Sequence, residues 1–141
     1  MQFVPHLHFN GQCEEAFKFY ERCFGGKIQN LSSYAAMPGE AHVPADWRDK
    51  VMHATLAVGD QLLMGCDPPP GRFQPPAGFS VAIQLNDVAA GERIFKALAE
   101  SGKVTMPFQK TFWSPGFGMV DDRFGIGWMI NCTQAAQQQS A

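Results

Sequence analysis

A displacement of 76 positions carries Phe9 onto Leu85, Asn10 onto Asn86, Phe19 onto Phe95, and Gly26-Lys27-Ile28 onto Gly102-Lys103-Val104. A displacement of 66 carries Gly59 onto Gly125 and Cys66 onto Cys132. Chance supplies single matches of this kind. A strand, a helix and a hairpin returning in the same order indicate a duplicated unit, and that constrains the fold more than any other feature of the chain.

In the first copy, Phe3–Phe9 reads as a strand and Asn10-Gly11 as a turn. Ala16, Phe17, Phe19, Tyr20, Cys23 and Phe24 then recur at helical spacing within Gln12–Phe24. Gly25-Gly26 ends that helix, because glycine adopts the left-handed cap conformation at little cost. Lys27–Ala35 reads as a strand and Met37–Lys50 as a polar, proline-broken loop. Val51–Val58 and Gln61–Cys66 are strands joined by a hairpin at Gly59-Asp60. Asp67–Gly78 holds five of the ten prolines and reads as a linker. The second copy follows with a strand at Phe79–Leu85 and a helix at Val88–Ser101, capped by Asn86-Asp87 and stopped at Gly102. Lys103–Cys132, broken at Pro115-Gly116 and turning at Asp121–Gly125, reads as three antiparallel strands.

Each copy is thus a βαβββ module whose helix covers one sheet face and leaves the other bare. The expected fold is α+β. Two modules, about residues 3–67 and 79–133 with a linker at 68–78, curve eight strands into a mixed sheet around a shared cavity, the usual setting for a small ligand. Residues 1–133 form a single domain, and 134–141 is a polar, low-complexity tail expected to be disordered.

Composition excludes several functions. A net charge of -2 gives no basic footprint for nucleic acid. No charge-free apolar run is long enough to span a bilayer. The start of the chain lacks the basic and apolar regions of a signal peptide, so the expected location is cytoplasmic. The four cysteines (Cys13, Cys23, Cys66, Cys132) show no CxxC spacing and are expected to be free thiols in a reducing compartment.

The segments FNG, FYERCFGG and VMHATLAVGDQLLMGCD, set in paired βαβββ units, resemble the vicinal oxygen chelate superfamily of glyoxalase I, bleomycin-resistance proteins and extradiol dioxygenases. GKVTMPFQKTFW and FGMVDDRFGIGWMINC resemble its PhnB-like branch, often labelled demethylubiquinone methyltransferase-like. The resemblance covers Phe3 to about Thr133. It implies a homodimer. It also implies metal ligands near Val4, Leu63, Ser80 and Met129, where three positions are apolar and the fourth is a hydroxyl. The superfamily's metal centre is therefore expected to be lost, since a transition metal needs three or four converging N, O or S donors. Methyl transfer is also disfavoured. A Rossmann-type donor site needs a glycine-rich strand-to-helix turn, and the two such turns here read Asn10-Gly11-Gln12 and Asn86-Asp87-Val88.

The remaining candidates are His6 and His8, two apart and so on one strand face, His53 of the third strand, Cys66 at the end of the fourth, and Gln109, Trp113 and Phe117 around the Pro-Gly break. They could line a site for a small organic ligand, with the aromatic rings as a flat wall. Structural roles compete for each: a histidine bonded to a backbone carbonyl, a packed Cys66 matching Cys132, rings against the helices. Trp47 would suit a partner chain if exposed, and Asp121-Asp122-Arg123 reads as a solvated turn. The leading expectation is a protein without cofactor that binds a small organic molecule. The alternative is a lyase, isomerase or dioxygenase with a divalent metal displaced onto His6, His8 and His53.

Overall fold

In a computed structural model, residues 1–36 and 43–134 are described. The expected loop over 37–42 and the tail from 135 lie outside them. The chain divides into two compact units, Met1–Pro75 and Pro76–Ala141.

In the first unit, β1 (His6–His8), α1 (Cys13–Phe24), β2 (Lys27–Ser33), β3 (Val51–Val58) and β4 (Gln61–Cys66) build a sheet of order β1-β4-β3-β2. β1 runs parallel to β4 and the other pairings are antiparallel. Cys13, Ala16, Phe17, Phe19 and Tyr20 form the buried stripe of α1, and Gly25 closes the helix at φ 71°. The Phe17 ring meets Phe9 edge-on at 6.2 Å and Tyr20 at 5.9 Å. Gly65 makes this approach possible, since a Cβ there would lie 2.7 Å from the Phe17 ring. Leu7, Ala54 and Gly65 are register partners and so mark the sheet face under α1.

The second unit repeats the plan with β5 (Val81–Leu85), α2 (Val88–Ala99), β6 (Lys103–Gln109), β7 (Phe117–Asp121) and β8 (Gly127–Cys132), in the order β5-β8-β7-β6. β5 is parallel to β8. Phe95 and Leu98 anchor α2, and the Asp87 carboxylate accepts the Ala90 N–H at 3.1 Å as the helix cap.

Several expectations need correction. The eight strands form two separate four-stranded sheets rather than one. β1 is only three residues, pairing with β4 from His6 to His8, and β5 begins at Val81. β2 ends at Ser33, where a 3₁₀ turn (Tyr34–Ala36) takes over, and a second such turn covers Ala45–Trp47. α2 stops at Ala99, and Ser101, not Gly102, takes the left-handed conformation, at φ 59°. Gly102 is required for space: a Cβ there would sit 2.5 Å from the Asp121 carbonyl oxygen. Gly26, its match in the repeat, faces the Ala57 carbonyl at the same 2.5 Å. The duplicated glycines therefore serve one steric purpose, the close crossing between the start of β2 or β6 and its neighbouring strand.

Candidate functional site

The pleat decides which side chains can meet. His6 pairs with Met64 and His8 with Cys66 across the parallel β1–β4 ladder, while Leu7 pairs with Gly65 on the α1 face. His6, His8, Met64 and Cys66 therefore share the face that α1 leaves bare. His53 is one residue from Ala54, which belongs to the helix side, so it joins them. The His6 ring lies 5.2 Å from that of His8 and 6.2 Å from that of His53. The ligating atoms of His6, His8 and Cys66 all fall within 4.8 Å of one another. His53 is not in this trio, and its Nδ1 sits 3.1 Å from Asn30 Nδ2.

Partial burial, together with the His8 and His53 rings, lowers the His6 pKa below the usual imidazole value. Burial and the adjacent Asp67 carboxylate push the Cys66 thiol up to about 11, so it is no ready nucleophile.

Asp67, assigned to the linker by its proline-rich surroundings, is 1% exposed and is the main fastening of this unit. Its Oδ1 accepts the N–H groups of Gly11 (2.8 Å) and Cys13 (3.0 Å), and its Oδ2 accepts that of Val51 (3.0 Å). Its carbonyl accepts the Tyr34 hydroxyl, and its own N–H donates to the Val51 carbonyl. Nothing in the composition of DPPPG announces this role. The usable signal is a lone carboxylate directly after a strand, within reach of a helix start that has no capping side chain of its own.

The second unit holds the other candidates. Trp113, 54% exposed, meets Phe117 edge-on at 5.4 Å and Phe112 at 4.8 Å, and Gln109 is the register partner of Phe117. The Ser114 hydroxyl fixes the Pro-Gly break: it lies 2.7 Å and 2.8 Å from the Cys132 and Gly116 carbonyl oxygens and accepts the Gly116 N–H. The solvated-turn expectation fails for Asp122, which is buried. Its carboxylate accepts N–H groups from Phe124, Ile126 and the Trp128 indole. Trp47 is not an exposed anchor either, since its ring packs against Gly11 beside Lys50.

The register also overturns the equation of Cys66 with Cys132. Leu85 pairs with Cys132 on the α2 face, where the Cys132 sulfur is what a Cβ on Gly91 would meet at 2.6 Å. Cys66 points to the opposite face. Its counterpart is Asn131, partner of Gln84 as Cys66 is of His8. Asp67 is the counterpart of Cys132. The sequence match was one residue out, and one residue changes the face.

Of the positions that the resemblance assigns to metal, Leu63 turns to the helix side and is 7% exposed. Its neighbours Leu62 and Met64 face the other way. Val4 and Ser80 precede their strands.

Paired βαβββ units with β1 parallel to β4 define a vicinal oxygen chelate fold. At the level of fold alone, the chain matches a glyoxalase/bleomycin resistance protein/dioxygenase family enzyme from Burkholderia phytofirmans (TM-score 0.62, 10% identity, 92% of this chain and 96% of that one). A family profile described as 3-demethylubiquinone-9 3-methyltransferase matches residues 1–131, and the chain belongs to this PhnB-like family. Protein YjdN of Escherichia coli is 33% identical over 147 residues, covering 99% of this chain and all of that protein. Protein PA1353 from Pseudomonas aeruginosa is 44% identical, with a TM-score of 0.84 over 94% of this chain and 98% of that one. A PhnB protein from Bacillus cereus, titled a putative 3-demethylubiquinone-9 3-methyltransferase, gives 24% identity and a TM-score of 0.77 over 94% and 100%. Despite the family's description, methyl transfer finds no support. Neither sheet is a doubly wound parallel one, and neither strand-to-helix turn is the glycine-rich loop a nucleotide-type donor needs. No helix among the described residues is long and apolar enough to cross a membrane.

Proposed function

We propose that the protein binds a small organic molecule on the bare face of its first sheet, with His6, His8, His53 and Cys66 as the polar contacts. The observation that carries this reading is the collection of three imidazoles and a thiol on one sheet face, where burial of apolar surface gives them no purpose. Imidazole N–H groups and a neutral thiol suit a ligand bearing carbonyl, carboxylate or phenolic oxygen. Trp113, half exposed and backed by the buried Phe117 ring, offers a second surface suited to a planar group. The four free cysteines accord with a cytoplasmic setting, and the exposed Val104, Met106, Phe112 and Trp113 with a homodimer, which sedimentation velocity tests directly.

Thermal-shift screening of oxygen-bearing metabolites tests the binding reading. The expected result is a hit whose shift disappears in the His6→Ala, His8→Ala double variant. Hits indifferent to both histidines would move the site elsewhere. A second reading, a metal-dependent lyase, isomerase or dioxygenase, is favoured by the convergence of His6, His8 and Cys66, and its first requirement is a metal at that point.

A further inference from the structure

We propose that His6, His8 and Cys66 form a binding site for a divalent transition metal of the zinc and cobalt class, with two imidazoles and one thiolate as ligands and the fourth position open. This deepens the reading of the same face as a ligand site, because an open coordination position is where an oxygen-bearing molecule would attach.

The backbone places the three donors. Two come from alternate positions of β1 and the third from the register partner of His8 on β4. Tetrahedral zinc with nitrogen and sulfur ligands needs donors about 3.3–3.6 Å apart, so the present spread of up to 4.8 Å closes by rotation of side chains alone. Both histidines are solvent-exposed. A two-imidazole, one-sulfur set selects zinc, cobalt or copper over magnesium and calcium, which require oxygen.

A thiolate ligand means that binding displaces the Cys66 proton. His53 stands outside as a neighbour, its ring engaged by Asn30. The set differs from the arrangement implied by the superfamily, which draws single ligands from four strands of both units. Here all three come from two adjacent strands of one unit.

The test uses the full chain without a histidine tag, stripped with chelator under reducing conditions and titrated with Co²⁺ and Zn²⁺. The expected result is one equivalent of metal after dialysis. A thiolate-to-cobalt charge-transfer band in the ultraviolet should accompany it, along with proton release. Cys66→Ser should abolish the band and weaken binding about 100-fold or more. His6→Ala with His8→Ala should abolish uptake. Thermal melting of each variant reports that it is folded. No uptake by the unmodified chain, or uptake and a band that survive Cys66→Ser, would overturn the site. Because the readout is metal on the bare protein, failure here leaves the organic-ligand reading to its own screen.

Discussion

The two units share one plan, and residues at equivalent pleat positions can be read against each other. On the face turned away from the helix, His6, His8, His53 and Cys66 of the first unit stand where the second has Ala82, Gln84, Phe117 and Asn131. On the helix face, Asp67 stands where the second unit has Cys132. Each sheet seats its helix on a glycine, Gly65 of β4 against Phe17 and Gly118 of β7 against Phe95, each ring 2.7 Å from the Cβ a larger residue would carry, but at different positions, since Gly65 matches Ile130 and Gly118 matches Ala54. The positions that are shared, Gly26 with Gly102 and Phe19 with Phe95, are those that packing dictates. The divergent ones lie where packing makes no demand, and there the first unit gathers titratable groups and the second amides and rings. Even so, the second face is not inert: Asn131 Oδ1 is buried with no hydrogen-bond partner among the described residues.

The largest expected break in this comparison is Asp67→Ala against Cys132→Ala. Removing the carboxylate strands the N–H groups of Gly11, Cys13 and Val51, a cost of at least about 3 kcal/mol. The thiol's deletion leaves only a small void, about 1 kcal/mol. Urea unfolding should separate the two, and equal costs would deny Asp67 its fastening role. Asp122→Ala comes next, at about 2–3 kcal/mol, since the β7–β8 turn and the Trp128 indole both lose their acceptor.

Gly65→Ala should then cost about 1–3 kcal/mol through overpacking against Phe17, and Gly118→Ala a similar amount against Phe95. A neutral result at one site only would show that one helix yields where the other does not. At α2, Asp87→Ala should cost about 1 kcal/mol as an ordinary cap loss. The smallest effect is pH-dependent. His6 has a lowered pKa when folded, so the unfolded chain binds its proton more readily. That contribution is complete above the ordinary imidazole value of 6.5 and is lost as pH falls from there through the folded value. Melting curves between pH 7.5 and about 5 should fall less steeply in His6→Ala.

Much of this was legible in sequence. Helical spacing located α1 to within a residue, Gly59-Asp60 announced its hairpin, and the i, i+2 spacing of His6 and His8 put both on one face. Cys66 as their companion was not legible, because a parallel β1–β4 pairing joins residues far apart in the chain and leaves no local signature. The Cys66–Cys132 identity misled for a related reason. A period of two gives a one-residue slip no penalty in composition, while reversing every side chain. Asp67 and Asp122 were hidden by their settings, a proline run and a charged turn, since burial of a carboxylate depends on distant N–H donors.

Asp67 has one more consequence, in the order of assembly. Its carboxylate joins residues 56, 54 and 16 positions away. Each closure costs chain entropy before any contact compensates it, and contacts of long separation tend to form late. The residue that clasps these loops is the immediate neighbour of Cys66, and the clasp holds the turn that follows His8. Histidines and thiol therefore meet only once the first unit has closed on itself.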